Sequence, residues 1–155
     1  MVSTLTTSRR DFLRQRDQVE RLLENLAELL DDIADAEADS SWGLPAMPTD
    51  VSDRVADLSA RLRTLFFLEE TDDALAELRE MQPTLREELE ELYGEHPQLL
   101  ELLDQIQELA GSSVRPASTW DDVESRFHRF QRALCRHQRR HDDLGERVAV
   151  AVVDE

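Results

Sequence analysis

Apolar side chains recur along this chain in alternating steps of three and four residues, over segments long enough to be helices. Such a period places the apolar side chains on one face of an α-helix, and that face must be buried against other helices. Only 4 glycines and 5 prolines interrupt the 155 residues, so the pattern predicts an all-α protein. The clearest of these stripes consists of Val123, Phe127, Phe130, Leu134, His137, His141, Leu144 and Val148.

The stripes divide the chain into four helical segments, at about residues 8–39, 49–70, 83–110 and 118–150. Ser8 is a suitable N-cap for the first segment. A chain of 155 residues suits one domain that buries a core without disulfide or metal support. We therefore expect residues 1–155 to form a single antiparallel, up-down-up-down four-helix bundle. Pro97 cannot donate a backbone hydrogen bond to Tyr93, which predicts a kink or a π-bulge beside His96.

Charge and composition narrow the class of protein. The net charge of −17 disfavours nucleic acids and anionic membranes as partners, because both would repel the chain. All 18 basic residues are arginine, which indicates a GC-rich bacterial gene. The single cysteine, Cys135, excludes an internal disulfide and fits a reducing compartment. No signal-peptide pattern begins the chain and no apolar run reaches the length of a membrane span, so we expect a cytoplasmic protein.

Three of the 4 histidines stand on apolar stripes, where their side chains would point into the core. Buried imidazoles need partners, and convergent ones are ligands for iron, zinc, copper or nickel. His137 and His141, four residues apart, share a helix face. Glu69 would add a carboxylate, which favours iron, manganese or zinc. The predicted metal ligands are therefore Glu69, His96, His137 and His141, and the alternative is that these histidines are ordinary polar residues paired with nearby carboxylates.

A faint internal repeat relates the two halves of the chain, with offsets of 80 residues between the first and third segments and 72 between the second and fourth. A bundle of two similar helix hairpins would have a pseudo-twofold axis through its core. The positions brought into register are Arg16 with His96, Leu65 with His137, and Glu69 with His141.

Several motifs resemble those of hemerythrin-like (HHE cation-binding) domains. The pattern L-x-x-E-H-x-x-L at residues 92–99 resembles their third helix. Trp120, the spacing F-x-x-F-x-x-x-L-x-x-H at 127–137 and Asp154 resemble their last helix, and residues 65–70 look like the second. The resemblance covers nearly the whole chain. It implies a four-helix bundle with a non-haem di-iron centre that binds oxygen or responds to oxygen, nitric oxide or iron levels.

The chain departs from this family's ligand pattern at three positions. Arg16 and Leu65 stand where the family has histidines, and His141 stands where it has a carboxylate. About half of a di-metal site remains, which implies one non-haem iron ion rather than two, with zinc or no metal as alternatives. We expect the Arg16 guanidinium to take the place of the second cation and to pair with Glu69.

Three functions fit these features. The first is a metal-binding bundle for sensing, storage or binding of a small molecule such as oxygen or nitric oxide. The second is a metal-free degenerate bundle that acts as an interaction or regulatory module. A third, weaker possibility is an oxidase-like or peroxidase-like enzyme that uses an open coordination position. Enzyme activity would depend on the metal alone, because the sequence contains no nucleophile constellation, phosphate loop or dinucleotide fingerprint.

Overall fold

The computed structural model describes residues 2–39, 48–72, 82–111 and 119–153. They form four α-helices: α1 (Val2–Asp39), α2 (Pro48–Glu70), α3 (Pro83–Gly111) and α4 (Thr119–Val153). Each helix packs on its sequence neighbours and α4 also packs on α1, whereas the diagonal pairs make no close approach within these ranges. This ring of contacts is that of an up-down-up-down bundle, so the predicted all-α four-helix bundle is confirmed. None of the described helices is long and apolar enough to cross a membrane.

The helix boundaries differ from the predicted ones mainly at the ends of α1 and α4. Helix α1 begins at Val2, so Ser8 lies inside the helix rather than capping it. Residues 2–7 contain neither Gly nor Pro, and nothing in them stops the helix. Helix α4 extends to Val153, and Asp154 lies outside the described residues. Around Pro97 the described α3 is continuous α-helix, so the predicted π-bulge is wrong; the buried apolar residues on both sides hold the helix in place.

Two separate groups of buried apolar side chains form the core. The smaller group comprises Leu85, Leu89 and Leu92 of α3 and Leu144 of α4. Each such side chain contributes roughly 1.5–3 kcal/mol when it is buried. The larger group includes Val19, Leu26 and Ile33 of α1, Val55, Leu58 and Leu62 of α2, Leu103 and Ile106 of α3, and Val123, Phe127, Phe130 and Leu134 of α4.

Buried polar side chains separate these two apolar groups. On α3, His96 stands between Leu92 of the smaller group and Leu99 of the larger one. On α4, two buried histidines likewise stand between Leu134 and Leu144. Apolar packing on both sides therefore fixes the position of a polar layer within the bundle.

Candidate metal centre

One carboxylate and two imidazoles, from three different helices, meet in the polar layer. Glu69 in the last turn of α2 places Oε2 2.6 Å from Nε2 of His96 and 3.1 Å from Nε2 of His137. The two Nε2 atoms lie 3.2 Å apart. The residues are 2%, 3% and 0% exposed, respectively, so all three are removed from solvent. These atoms form a group that could hold a metal ion.

His141, the fourth predicted ligand, borders this group without belonging to it. It is buried, and its Nδ1 lies 4.0 Å from Oε1 of Glu69, whereas His96 and His137 contact Oε2. Its Nε2 is also buried and has no hydrogen-bond partner among the described residues. The ring of Phe12 on α1 packs against it, with 5.2 Å between ring centroids.

A second carboxylate contacts the outer nitrogen of each converging imidazole. Nδ1 of His137 lies 3.1 Å from Oε2 of Glu95, and Nδ1 of His96 lies 3.3 Å from Oε1 of Glu70. An ionised carboxylate only accepts hydrogen bonds, so each Nδ1 carries a proton. A neutral imidazole with its proton on Nδ1 has its lone pair on Nε2.

When both rings are neutral, their two Nε2 lone pairs and the Oε2 atom of Glu69 are directed at a common point. Three acceptors at these separations repel one another unless a positive charge lies between them. A metal cation supplies that charge, and so do protons on the two Nε2 atoms, which then donate to Glu69. The donor set thus fits two states: a bound metal ion between neutral imidazoles, or two imidazolium rings that each carry a proton on both nitrogens.

Aromatic side chains and the end of α2 hold the imidazoles in place. The ring of Phe66 stacks on His96, with centroids 3.9 Å apart and an interplanar angle of 10°. The same ring lies edge-on to His137 at 5.4 Å. The hydroxyl of Tyr93 donates a 3.0 Å hydrogen bond to the backbone carbonyl of Glu69. That carbonyl is in the last turn of α2, where helical carbonyls lack partners within the helix.

The pKa values of the buried groups follow from their contacts. Burial alone would raise the pKa of Glu69, but hydrogen bonds from His137 and His96 outweigh burial and lower it to about 2. Burial opposes the charged form of His137 as well, yet hydrogen bonds and charges from Glu69 and Glu95 raise its pKa. Burial lowers the pKa of His141, and the charge of Glu69 offsets this only in part. Glu69 is therefore ionised, and His141 favours its neutral form.

Arg16 does not pair with Glu69, so that expectation was wrong. It donates two hydrogen bonds to Asp142 on α4, of 2.7 Å to Oδ1 and 2.9 Å to Oδ2, and the hydrogen bond to Asp142 raises the pKa of Arg16. Asp142 is half exposed, so this pair avoids the cost of burying a guanidinium in the core. Leu65, the other position where the family has a histidine, is fully buried among apolar side chains.

Three charged residues at the centre were not predicted from the sequence: Glu70, Glu95 and Arg140, which donates to Glu95. All three flank the apolar stripes instead of lying on them. The sequence nevertheless indicated that two of them lie near the centre, because Glu95 immediately precedes His96 and Arg140 follows His137 by three residues.

Comparison of the chain with family models, with curated proteins and with solved structures gave no match. The resemblance to hemerythrin-like domains therefore depends on the short motifs quoted above.

Proposed function

We propose that the protein binds one transition-metal ion in the bundle core through Glu69, His96 and His137. The observation that carries this proposal is the convergence of three buried donor atoms whose two imidazoles each have a carboxylate at the outer nitrogen. Two imidazoles and one carboxylate form the ligand set of non-haem iron sites and of zinc sites with an open position. The separations of 3.1 and 3.2 Å suit neighbouring ligands that each lie about 2.0–2.2 Å from an ion.

Non-haem iron is the metal we favour, in a hemerythrin-like bundle that senses, stores or binds a small molecule such as oxygen or nitric oxide. Three protein ligands leave positions free for water or for an exogenous ligand, and His141 borders the site through its Nδ1, 4.0 Å from Oε1 of Glu69. The ligand residues are almost fully buried, which restricts any exogenous ligand to a few atoms. The exposed cysteine fits a cytoplasmic location.

Metal analysis of protein purified without an affinity tag tests this proposal. We expect close to one equivalent of metal per chain, and its loss in His96→Ala and in His137→Ala. His128→Ala is the matched control, because His128 lies on α4 and is half exposed, away from the centre. Stoichiometric metal in both core variants, or its loss in the His128 variant, contradicts the proposed site.

A metal-free bundle that acts as an interaction or regulatory module is the second candidate. One distance favours it: the 2.6 Å between Glu69 Oε2 and His96 Nε2 is shorter than the usual spacing of two metal ligands and corresponds to a short charge-assisted hydrogen bond. Thermal unfolding separates the two candidates. An ion at 100 times its Kd stabilises the native state by about 2.7 kcal/mol, whereas a metal-free protein has the same Tm with metal and with chelator.

A further inference from the structure

We infer that Glu95 is a positioning residue of the metal centre: it holds the imidazole of His137 so that Nε2 faces the ion, and Arg140 holds Glu95. This inference rests on the proposed metal site, and it assigns the residues that orient one of its ligands.

The two carboxylate oxygens of Glu95 have different partners. Oε2 lies 3.1 Å from Nδ1 of His137, and Oε1 accepts a hydrogen bond from Nη1 of Arg140. The other terminal nitrogen of Arg140, Nη2, donates to Glu91 at 3.4 Å. The side chains of Arg140, Glu95 and His137 are 44%, 26% and 0% exposed, so the contacts run from the surface to a buried ligand. An ion pair at the surface thus fixes the carboxylate that reaches the histidine.

His137 needs such a support because an imidazole can present either of its nitrogens to a metal. The Nδ1–H···Oε2 contact with Glu95 leaves the lone pair on Nε2, the nitrogen that faces Glu69 and His96. A carboxylate at the outer nitrogen also makes the imidazole a stronger metal ligand. Removal of such outer partners weakens metal binding by about 10- to 100-fold in proteins.

His96 is supported in a different way. Its outer carboxylate, Glu70, is 47% exposed and lies 3.3 Å away, and no cation among the described residues pairs with Glu70. The stacked ring of Phe66 instead restrains the imidazole. Removal of Glu70 should therefore weaken metal binding less than removal of Glu95.

Metal titration of the full chain tests the inference, with Zn²⁺ or Co²⁺ in competition with a chromophoric chelator. We expect Glu95→Ala to bind about 10- to 100-fold more weakly than wild type. Glu95→Gln should fall between them, because an amide oxygen still accepts from Nδ1–H but carries no charge. Glu91→Gln is the matched control, since Glu91 also contacts Arg140 but no histidine, and it should retain wild-type affinity.

Nitrogen-15 NMR of the zinc-loaded protein provides a readout that altered stability alone does not change. In wild type we expect zinc on Nε2 of His137 and a hydrogen-bonded proton on Nδ1; Glu95→Ala should shift that proton resonance upfield.

Zinc on Nδ1 overturns the inference, as does wild-type affinity in Glu95→Ala. If Glu95→Ala does not fold, Glu95→Gln and Arg140→Gln decide: weaker binding in both supports the inference, and unchanged binding in either overturns it. A wild-type protein that binds no metal would instead refute the proposed function.

Discussion

Arg16 on α1 and Asp142 on α4 are joined by two hydrogen bonds of 2.7 and 2.9 Å, one residue along the chain from the buried His141. The internal repeat places Arg16 at the position equivalent to His96, and its charge was expected to replace a second cation and to pair with Glu69. The observed pair gives Arg16 a structural role instead. It ties α1 to α4, and the Glu69 carboxylate remains available to the histidines.

Arg16→Met should therefore affect stability slightly and metal binding very little. Its partner is half exposed, so solvent screens the pair and the expected loss is about 1 kcal/mol or less. Urea unfolding measures the loss, and zinc titration of the same variant should match wild type. A large drop in zinc affinity would show that the charge of Arg16 acts on Glu69 after all.

Replacement of Glu69, His96 and His137 together by leucine should stabilise the metal-free protein. These buried polar groups lose hydration on folding, whereas leucine side chains at the same positions have no such cost and would join the apolar groups on both sides. Apolar replacements of buried ion pairs have raised stability by about 1–4 kcal/mol in other proteins. We expect a gain of that order in urea unfolding with chelator present, together with complete loss of metal binding. Lower stability would contradict this prediction and would show that the contacts within the triad outweigh the hydration it loses.

The sequence was sufficient to predict the four helices because apolar side chains recur every three or four residues along each helix, on a face that must be buried. The same constraint predicted that His96 and His137 approach each other, since both replace apolar residues on stripes that face the core. Glu69 was predictable for a related reason, because it lies four residues after buried Leu65 on α2.

The outer carboxylates were not predictable in the same way. Glu70 and Glu95 flank the stripes, and the helix they face depends on the order of helices around the bundle axis, which the apolar period does not specify. The sequence also did not specify which carboxylate Arg16 contacts, because a long flexible side chain can reach either a buried or an exposed one. Lower desolvation cost favours the exposed Asp142.

Phe66 and Phe67 are adjacent aromatic residues on α2 that should respond oppositely to truncation. Phe66 is 3% exposed and stacks on His96, so Phe66→Ala should lose about 3–5 kcal/mol of stability and weaken metal binding. Phe67 is 62% exposed, and Phe67→Ala should change stability by no more than about 0.5 kcal/mol. Urea unfolding of the two variants checks this. Equal losses would contradict the burial and stacking of Phe66.

Acid should destabilise the metal-free protein through Glu69. Its pKa is about 2 in the folded protein against an ordinary value of 4.5, because His137 and His96 donate hydrogen bonds to its ionised form. A lowered pKa contributes stability above the unfolded value, and that stability is lost as the pH falls from 4.5 towards 2. Glu69→Gln has no ionisable carboxylate at this position, so its free energy of unfolding should fall less steeply over the same pH range. Parallel curves for variant and wild type would show that Glu69 has an ordinary pKa.

The two buried histidines of α4, His137 and His141, should give pH dependences of opposite sign near neutrality. Burial lowers the pKa of His141 in the folded protein. Its contribution to the free energy of unfolding is therefore present above pH 6.5 and is lost as the pH falls through the folded pKa. The pKa of His137 is raised against burial by Glu69 and Glu95, so its contribution is present below pH 6.5 and is lost as the pH rises through the folded pKa. We expect His141→Gln to remove the loss of stability that accompanies falling pH. His137→Gln should remove the loss of stability that accompanies rising pH. Urea unfolding in chelator between about pH 5 and 8, where histidine titrates, measures both slopes. The same slope change in both variants would contradict the separate environments of these two imidazoles.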